Sequence, residues 1–202
     1  MLACEGYVKY NALHEEAPVI ESPLWEELNE ARTKCCKLGL VGVYPNGIGY
    51  GNLSVRYKCE EFLISGTATG SKPVLEKSDY CLVKSFDIAR NSVTSEGPVQ
   101  ASSESMTHGA VYLARKGVNC VIHIHSKKIF DSMIRGNYSS TPKEAAFGTP
   151  DIALAIGKCA QDSGKDEGQI VLAGHDEGII AYGANIQRAL ELIMELYNKY
   201  GG

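Results

Sequence analysis

Apolar residues recur along this chain with two different spacings. In the first they return every three or four residues, which lays them along one face of a helix. Leu24, Leu28, Ala31, Cys35 and Leu38 follow that rhythm. Ser22-Pro23 offers a cap and a proline for the first helical position, and Gly39 a stop. Glu26 and Glu27 come early and Lys34 and Lys37 late, as the helix dipole favours. The same rhythm predicts a helix from a Ser102-Ser103 cap to about residue 116, burying Met106, Ala110, Leu113 and Ala114 and ending at Gly117. Another starts at Thr149-Pro150 and runs through Ile152, Ile156 and Cys159. A last one starts at Asn185, with Ile186, Ala189, Leu190, Ile193 and Tyr197 facing inward. The second spacing is that of strands, short apolar runs or alternations at 53–57, 62–64, 80–83, 118–125, 169–173 and 178–182. Residues 1–21 follow neither and predict an irregular N-terminal arm. Glycine and small polar residues fill 45–51 and 65–71, where the backbone can approach a ligand closely. Helices and strands mix throughout, which predicts one layered domain of the α/β or α+β class over residues 1–202.

Composition narrows the partners. At 202 residues, with 44% apolar and 22% charged, the chain can bury a core without disulfides or metals. A net charge of −4 argues against nucleic acid or an anionic membrane surface as main partner. No run approaches the roughly 20 apolar residues that span a bilayer, and the N-terminus lacks the apolar stretch of a signal peptide. The seven cysteines are odd in number and contain no Cys-x-x-Cys, a reduced, cytoplasmic pattern. Cys81 and Cys120 lie in apolar runs and read as small buried hydrophobes.

The chemistry concentrates in a few polar residues. His123 and His125 are two apart in a strand, so they project to the same face. His175 follows in Gly174-His175-Asp176-Glu177-Gly178. Neutral imidazoles are common zinc ligands, and a catalytic zinc takes three protein ligands and keeps one position open. A lone histidine on such a strand is more often a hydrogen-bonded core residue; the surrounding residues shift the balance here. Glu104 follows Ser102-Ser103 at a helix start, a place that binds anions. The glycine-flanked Asn52 and the 65–71 loop add further donors. Together these predict a small polyoxygenated anion with one end on a metal. His108, four residues after Glu104 on the same helix face, reads as a structural hydrogen-bonding group. Lys72, Lys127 and Lys128 are candidate helpers for a phosphate, and His14 reads as solvated. Asp176 and Glu177 are either partners of the ligating histidines or, for Glu177, solvated.

Six segments in one order resemble the class II aldolase and adducin family, whose small members include L-fuculose-1-phosphate aldolase and L-ribulose-5-phosphate 4-epimerase. They are residues 51–57 (Gly-Asn-Leu-Ser-Val-Arg-Tyr), 64–70, Ser102-Ser103-Glu104 with His108, His123-Ile124-His125, Ala146-Phe147-Gly148-Thr149, and the segment around His175. The resemblance implies a three-layer α/β/α fold on a mainly antiparallel central sheet. It implies a homotetramer with active sites between subunits, and a zinc or similar divalent first-row ion. By position His123, His125 and His175 become metal ligands, and Glu104 the acid/base and a candidate fourth ligand. Gly51, Asn52, Thr69, Gly70, Ser102 and Ser103 become the holders of a substrate phosphate, with Ser65-Gly66 an alternative in the second loop. The implied activity is metal-dependent cleavage and formation of a carbon–carbon bond in a small sugar phosphate through a metal-stabilised enediolate. Alternatives on the same metal site are a sugar-phosphate 4-epimerase and a methylthioribulose-phosphate dehydratase. A non-catalytic adducin-like assembly domain is the alternative of another class, and a zinc hydrolase a further one. The stretch before Ala146, in which the family's fuculose phosphate aldolase carries an interfacial proton-donating tyrosine, is shorter here, and Tyr138 lies near it without aligning with that tyrosine.

Overall fold

The computed structural model describes residues 8–201. The chain runs β1 (Asn11–Glu16), α1 (Trp25–Lys37), β2 (Gly42–Val43), β3 (Gly49–Tyr50), β4 (Asn52–Lys58), β5 (Glu61–Ser65), β6 (Tyr80–Asp87) and β7 (Ser92–Gly97). It continues with α2 (Ser105–Ala114), β8 (Cys120–His125), α3 (Lys127–Arg135), α4 (Pro150–Asp162), β9 (Gly168–Val171), β10 (Gly178–Gly183) and α5 (Ile186–Leu196). Eight strands form one sheet in the order β1-β7-β6-β5-β4-β8-β10-β9, and β2 and β3 pair as a separate ribbon. Among these strands only the β1–β7 pairing is parallel; the other pairings are antiparallel.

The strand period of two sorts side chains into two cores. Leu53, Val55, Leu63, Cys120, Ile122, Ile124, Ile179 and Ala181 join α1, α3 and α5 on one face. Phe62, Ile64, Val121, Ile180 and Tyr182 join α2 and α4 on the other. Helices thus cover both faces of a mainly antiparallel sheet, the three-layer α/β/α arrangement that the resemblance implies. Among the described residues no helix is long and apolar enough to cross a membrane. Cys35, Cys36, Cys59, Cys81, Cys120 and Cys159 are free thiols, and Cys81 and Cys120 are fully buried.

Several expectations need correction. Residues 1–7 of the expected irregular arm lie outside the described residues, but Asn11–Glu16 is a strand. It is stabilised by parallel pairing with β7, not by an apolar rhythm of its own, and Leu13 stays 55% exposed. His14 is therefore not simply solvated: its Nδ1 lies 3.0 Å from Ser95 Oγ on β7. Helix α3 was not expected; Ser126 caps it by accepting from the Ile129 N–H. Helix α2 begins at Ser105, because the Ser102 carbonyl accepts from both the N–H and the hydroxyl of Ser105 and closes a turn first. Its Leu113, expected inside, is 40% exposed. Asn185 caps α5 as expected, accepting from the Arg188 N–H at 2.8 Å.

Candidate metal centre

Strand β8 delivers the histidines by simple alternation. Its even positions Cys120, Ile122 and Ile124 enter the α1–α3–α5 core, so His123 and His125 face the α2–α4 side together with Val121. His175 reaches them from the turn between β9 and β10. Its ring stacks on that of Phe147 at 4.5 Å, and Lys9 Nζ lies 4.3 Å from the Phe147 centroid. The ligand atoms of His123, His125 and His175 all lie within 4.8 Å of one another, and all three residues are buried. Gly178 makes the convergence possible. A Cβ there meets His175 Cδ2 at 2.8 Å and His123 Cε1 at 3.2 Å.

Hydrogen bonds decide which nitrogens face the centre. His123 Nδ1 lies 3.1 Å from the Ile179 carbonyl, so it carries the proton and donates. Tyr44 donates its hydroxyl proton to Glu177 Oε2 at 2.9 Å and accepts from His125 Nδ1 at 2.9 Å. Both Nε2 atoms are then left with lone pairs, and they face each other at 3.0 Å. Two neutral acceptors do not bond at that distance; a shared cation satisfies both. Burial first, then the charges of His125 and His175, hold the His123 imidazole well below the usual histidine range. Burial first, then His175, does the same for His125. The His123 and His125 rings are thus neutral, as ligation demands. The donor set of three imidazoles fits zinc and neighbouring first-row divalent ions.

Glu104 stands outside this group of three. It occupies the position just before the first residue of α2 and is 2% exposed, on the helix that covers the histidine face. A buried carboxyl at the start of that helix is what the expected acid/base role asks for. His108, one turn on, is fully buried, with Nδ1 2.7 Å from Ser54 Oγ, which also contacts the Tyr112 hydroxyl at 2.8 Å. This network ties α2 to β4. Burial pushes the His108 imidazole down to about 3 from a usual 6.5. Below pH 6.5 the unfolded chain takes up this proton and the folded one does not. The folded state therefore loses stability as pH falls from about 6.5 toward 3. Urea unfolding at pH 7 and pH 5 with chelator present is expected to cost the native chain about 2 kcal/mol more than His108→Asn. Equal losses would show that His108 protonates in place.

The expected phosphate holders gather in one cavity of about 310 Å³. Gly51, Asn52, Thr69, Gly70, Ser102 and Ser103 all line it, with Gly66 of the alternative; Ser65 does not. The histidines do not line it either, but Asn52 is the register partner of His123, so its floor adjoins them. Asn52 Oδ1 is buried with no hydrogen-bond partner among the described residues. The Gly70 backbone packs so tightly on β2 that a Cβ there would lie 2.1 Å from the Gly42 carbonyl oxygen. Thr69 Oγ1 donates to the Gly66 carbonyl, whereas Ser102 Oγ accepts from the Glu104 N–H and keeps its own proton to give.

Other candidates lie elsewhere. Lys72 pairs with Asp79 at 2.6 Å and Lys127 with Asp131 at 3.1 Å. Asp176 is exposed. Tyr138 packs against the α1–α3–α5 core beside Tyr200, on the opposite face of the sheet from the histidines. Sequence reasoning missed Tyr44 and Tyr50, whose rings lie 6.1 and 5.6 Å from that of His125. Their only signal was their place at the two ends of the glycine-rich stretch. It also missed Arg32, which reaches from α1 to the carbonyls of Thr69, Lys72 and Pro73 behind the second loop.

No curated protein matches the chain. Solved structures do. An L-fuculose-1-phosphate aldolase from Thermus thermophilus shares 20% identity at a TM-score of 0.61, covering 87% of this chain and 89% of that one. An L-fuculose 1-phosphate aldolase shares 21% at 0.66, covering 89% and 84%. A sugar-phosphate aldolase from Thermotoga maritima shares 15% at 0.62, covering 85% and 89%. Residues 44–199 match the family model described as Class II Aldolase and Adducin N-terminal domain. With the fold agreeing and the match extending over most of its length, this chain belongs to the class II aldolase and adducin family.

Proposed function

We propose that the protein is a metal-dependent class II aldolase that reversibly cleaves a carbon–carbon bond in a small sugar phosphate. The observation that carries this reading is the pair of Nε2 lone pairs turned on each other at 3.0 Å, with His175 beside them and a donor-lined cavity adjoining. His123, His125 and His175 would hold a zinc or similar ion. Bound there, such an ion supplies Lewis acidity toward a carbonyl oxygen and steadies the negative charge left when the carbon–carbon bond breaks.

The remaining work falls to the chain itself. The backbone N–H groups of Gly51 and the Thr69-Gly70 loop, the Asn52 amide and the Ser102 and Ser103 hydroxyls bind the phosphate. Holding that end sets the reacting end against the histidines, which turns an encounter into an oriented reaction. Glu104, buried beside the cavity, takes and returns a proton at a carboxylate oxygen. Phe147 stacks on His175 and keeps water from that side. The fuculose phosphate specificity named for two of the related structures supports a ketose phosphate as substrate class. A homotetramer with interfacial sites belongs to the same proposal. Against the adducin-like assembly reading stands the intact histidine triad.

The test is metal content by elemental analysis on protein purified without added metal, beside His123→Ala. About one divalent ion per chain, lost in the variant, is expected from a three-ligand site. Retro-aldol screening of ketose 1-phosphates then follows. No ion bound even after incubation with zinc would overturn the enzymatic reading.

A further inference from the structure

We infer that Tyr44 and Glu177 form a positioning relay that holds His125 in its ligating tautomer. The inference rests on the metal-site reading above and adds two residues to it. The relay is read from directions as well as distances. Glu177 Oε2 is an acceptor 2.9 Å from the Tyr44 hydroxyl, so that hydroxyl gives its only proton to the carboxylate. Its oxygen then faces His125 Nδ1 at 2.9 Å as an acceptor. Nδ1 must therefore carry the ring proton, and Nε2 is left with its lone pair toward His123 and His175. His123 is set the same way by a main-chain carbonyl, which needs no particular side chain. For His125 that task falls to side chains.

Local structure fixes both ends of the relay. Tyr44 sits where the β2–β3 ribbon turns: its N–H donates to the Ile48 carbonyl, and its carbonyl accepts from the Gly47 N–H. Its ring packs on Tyr50 with centroids 4.4 Å apart. Glu177 takes a left-handed φ of 65°, and its carbonyl accepts from the Ser126 N–H at 3.1 Å. That bond anchors the turn to the residue following His125. A left-handed non-glycine residue is uncommon, and here it aims the carboxylate across the sheet end at the tyrosine. The ribbon, the histidine strand and the His175 turn are thereby joined through one hydroxyl. Partners of this kind orient a ligand ring and raise its basicity, and losing one typically weakens metal binding about 10- to 100-fold.

The experiment has two readouts. Zinc affinity is measured by competition with a chromogenic chelator for the native chain, Tyr44→Phe, Glu177→Ala, Glu177→Gln and the Tyr44→Phe/Glu177→Ala double variant. Proton–nitrogen NMR of the metal-free proteins reads which nitrogen of His125 is protonated. Tyr44→Phe and Glu177→Ala are each expected to weaken zinc about 10- to 100-fold and to mix the His125 tautomers. The double variant is expected to be no weaker than Tyr44→Phe alone, since both changes cut one chain of bonds. Glu177→Gln keeps an acceptor for the hydroxyl and is expected to retain the native tautomer, which a loss of mere packing would not predict. Native affinity and an unchanged tautomer in Tyr44→Phe would overturn the relay. If the native chain binds no zinc, the metal reading fails, and the NMR readout still decides the relay by itself.

Discussion

Glu104→Gln is expected to lower turnover of the sugar phosphate by about 10²- to 10⁴-fold, the range for removing a positioned acid/base. The exchange keeps the side chain's shape and deletes its ability to cycle a proton. Glu104 is 2% exposed, so no bulk water replaces it as proton carrier. Because the carboxyl stands outside the group of three histidines, metal content is expected to stay near that of the native chain. The split between retained metal and lost turnover separates a proton-transfer role from a ligand role. Elemental analysis and steady-state assay on the same preparation read it. Loss of metal together with activity would make Glu104 a ligand, and full activity would remove it from the mechanism.

Arg32→Leu is expected to destabilise the fold by about 3 kcal/mol, because it takes the guanidinium from the Lys72 and Pro73 carbonyls and leaves the Thr69 carbonyl only the Lys72 N–H. The guanidinium is 1% exposed, and its partners among the described residues are the carbonyls of Thr69, Lys72 and Pro73. No single-point cation reproduces this. The planar fork reaches several oxygens at once, so Arg32→Lys is expected to recover only part of the loss. The function is tied to the same bonds. With the Thr69 carbonyl drawn toward α1, the trans peptide turns the Gly70 N–H the opposite way. The second loop of the donor-lined cavity is therefore shaped by an arginine that does not line it. Urea unfolding of the two variants measures the effect, and a change below about 1 kcal/mol would show that the loop holds itself.

The histidine pair of the candidate metal centre was legible because its placement obeys a local rule. His123 and His125 share a face by strand alternation alone, and their buried neighbours Ile122 and Ile124 take the other face, into the α1–α3–α5 core. The donor-lined cavity was legible for a similar reason: Gly51-Asn52 and Thr69-Gly70 are short runs whose backbone freedom is written in residue type. Helix α5 was legible from Asn185 and its apolar spacing. What escaped were features whose cause lies far along the chain. Strand β1 has little apolar alternation, and its hydrogen-bond partners on β7 are remote in sequence. Leu113 follows the helical rhythm but faces outward, because α2 is pressed between the sheet and α4 at its other positions.

By itself, then, the sequence determined which residues are candidates for the chemistry and which faces of strands and helices are apolar, since both depend on residue type and on a period of two or 3.6. Only the tertiary structure decided how those residues act on one another. It placed Tyr44 between Glu177 and His125, brought His175 to within 4.8 Å of the histidine pair, and packed Tyr138 against the α1–α3–α5 core. The physical reason is that a hydrogen bond needs its partner within about 3 Å. Which residues come that close depends on the order of strands in the sheet and the turns between them, and no local pattern encodes that order.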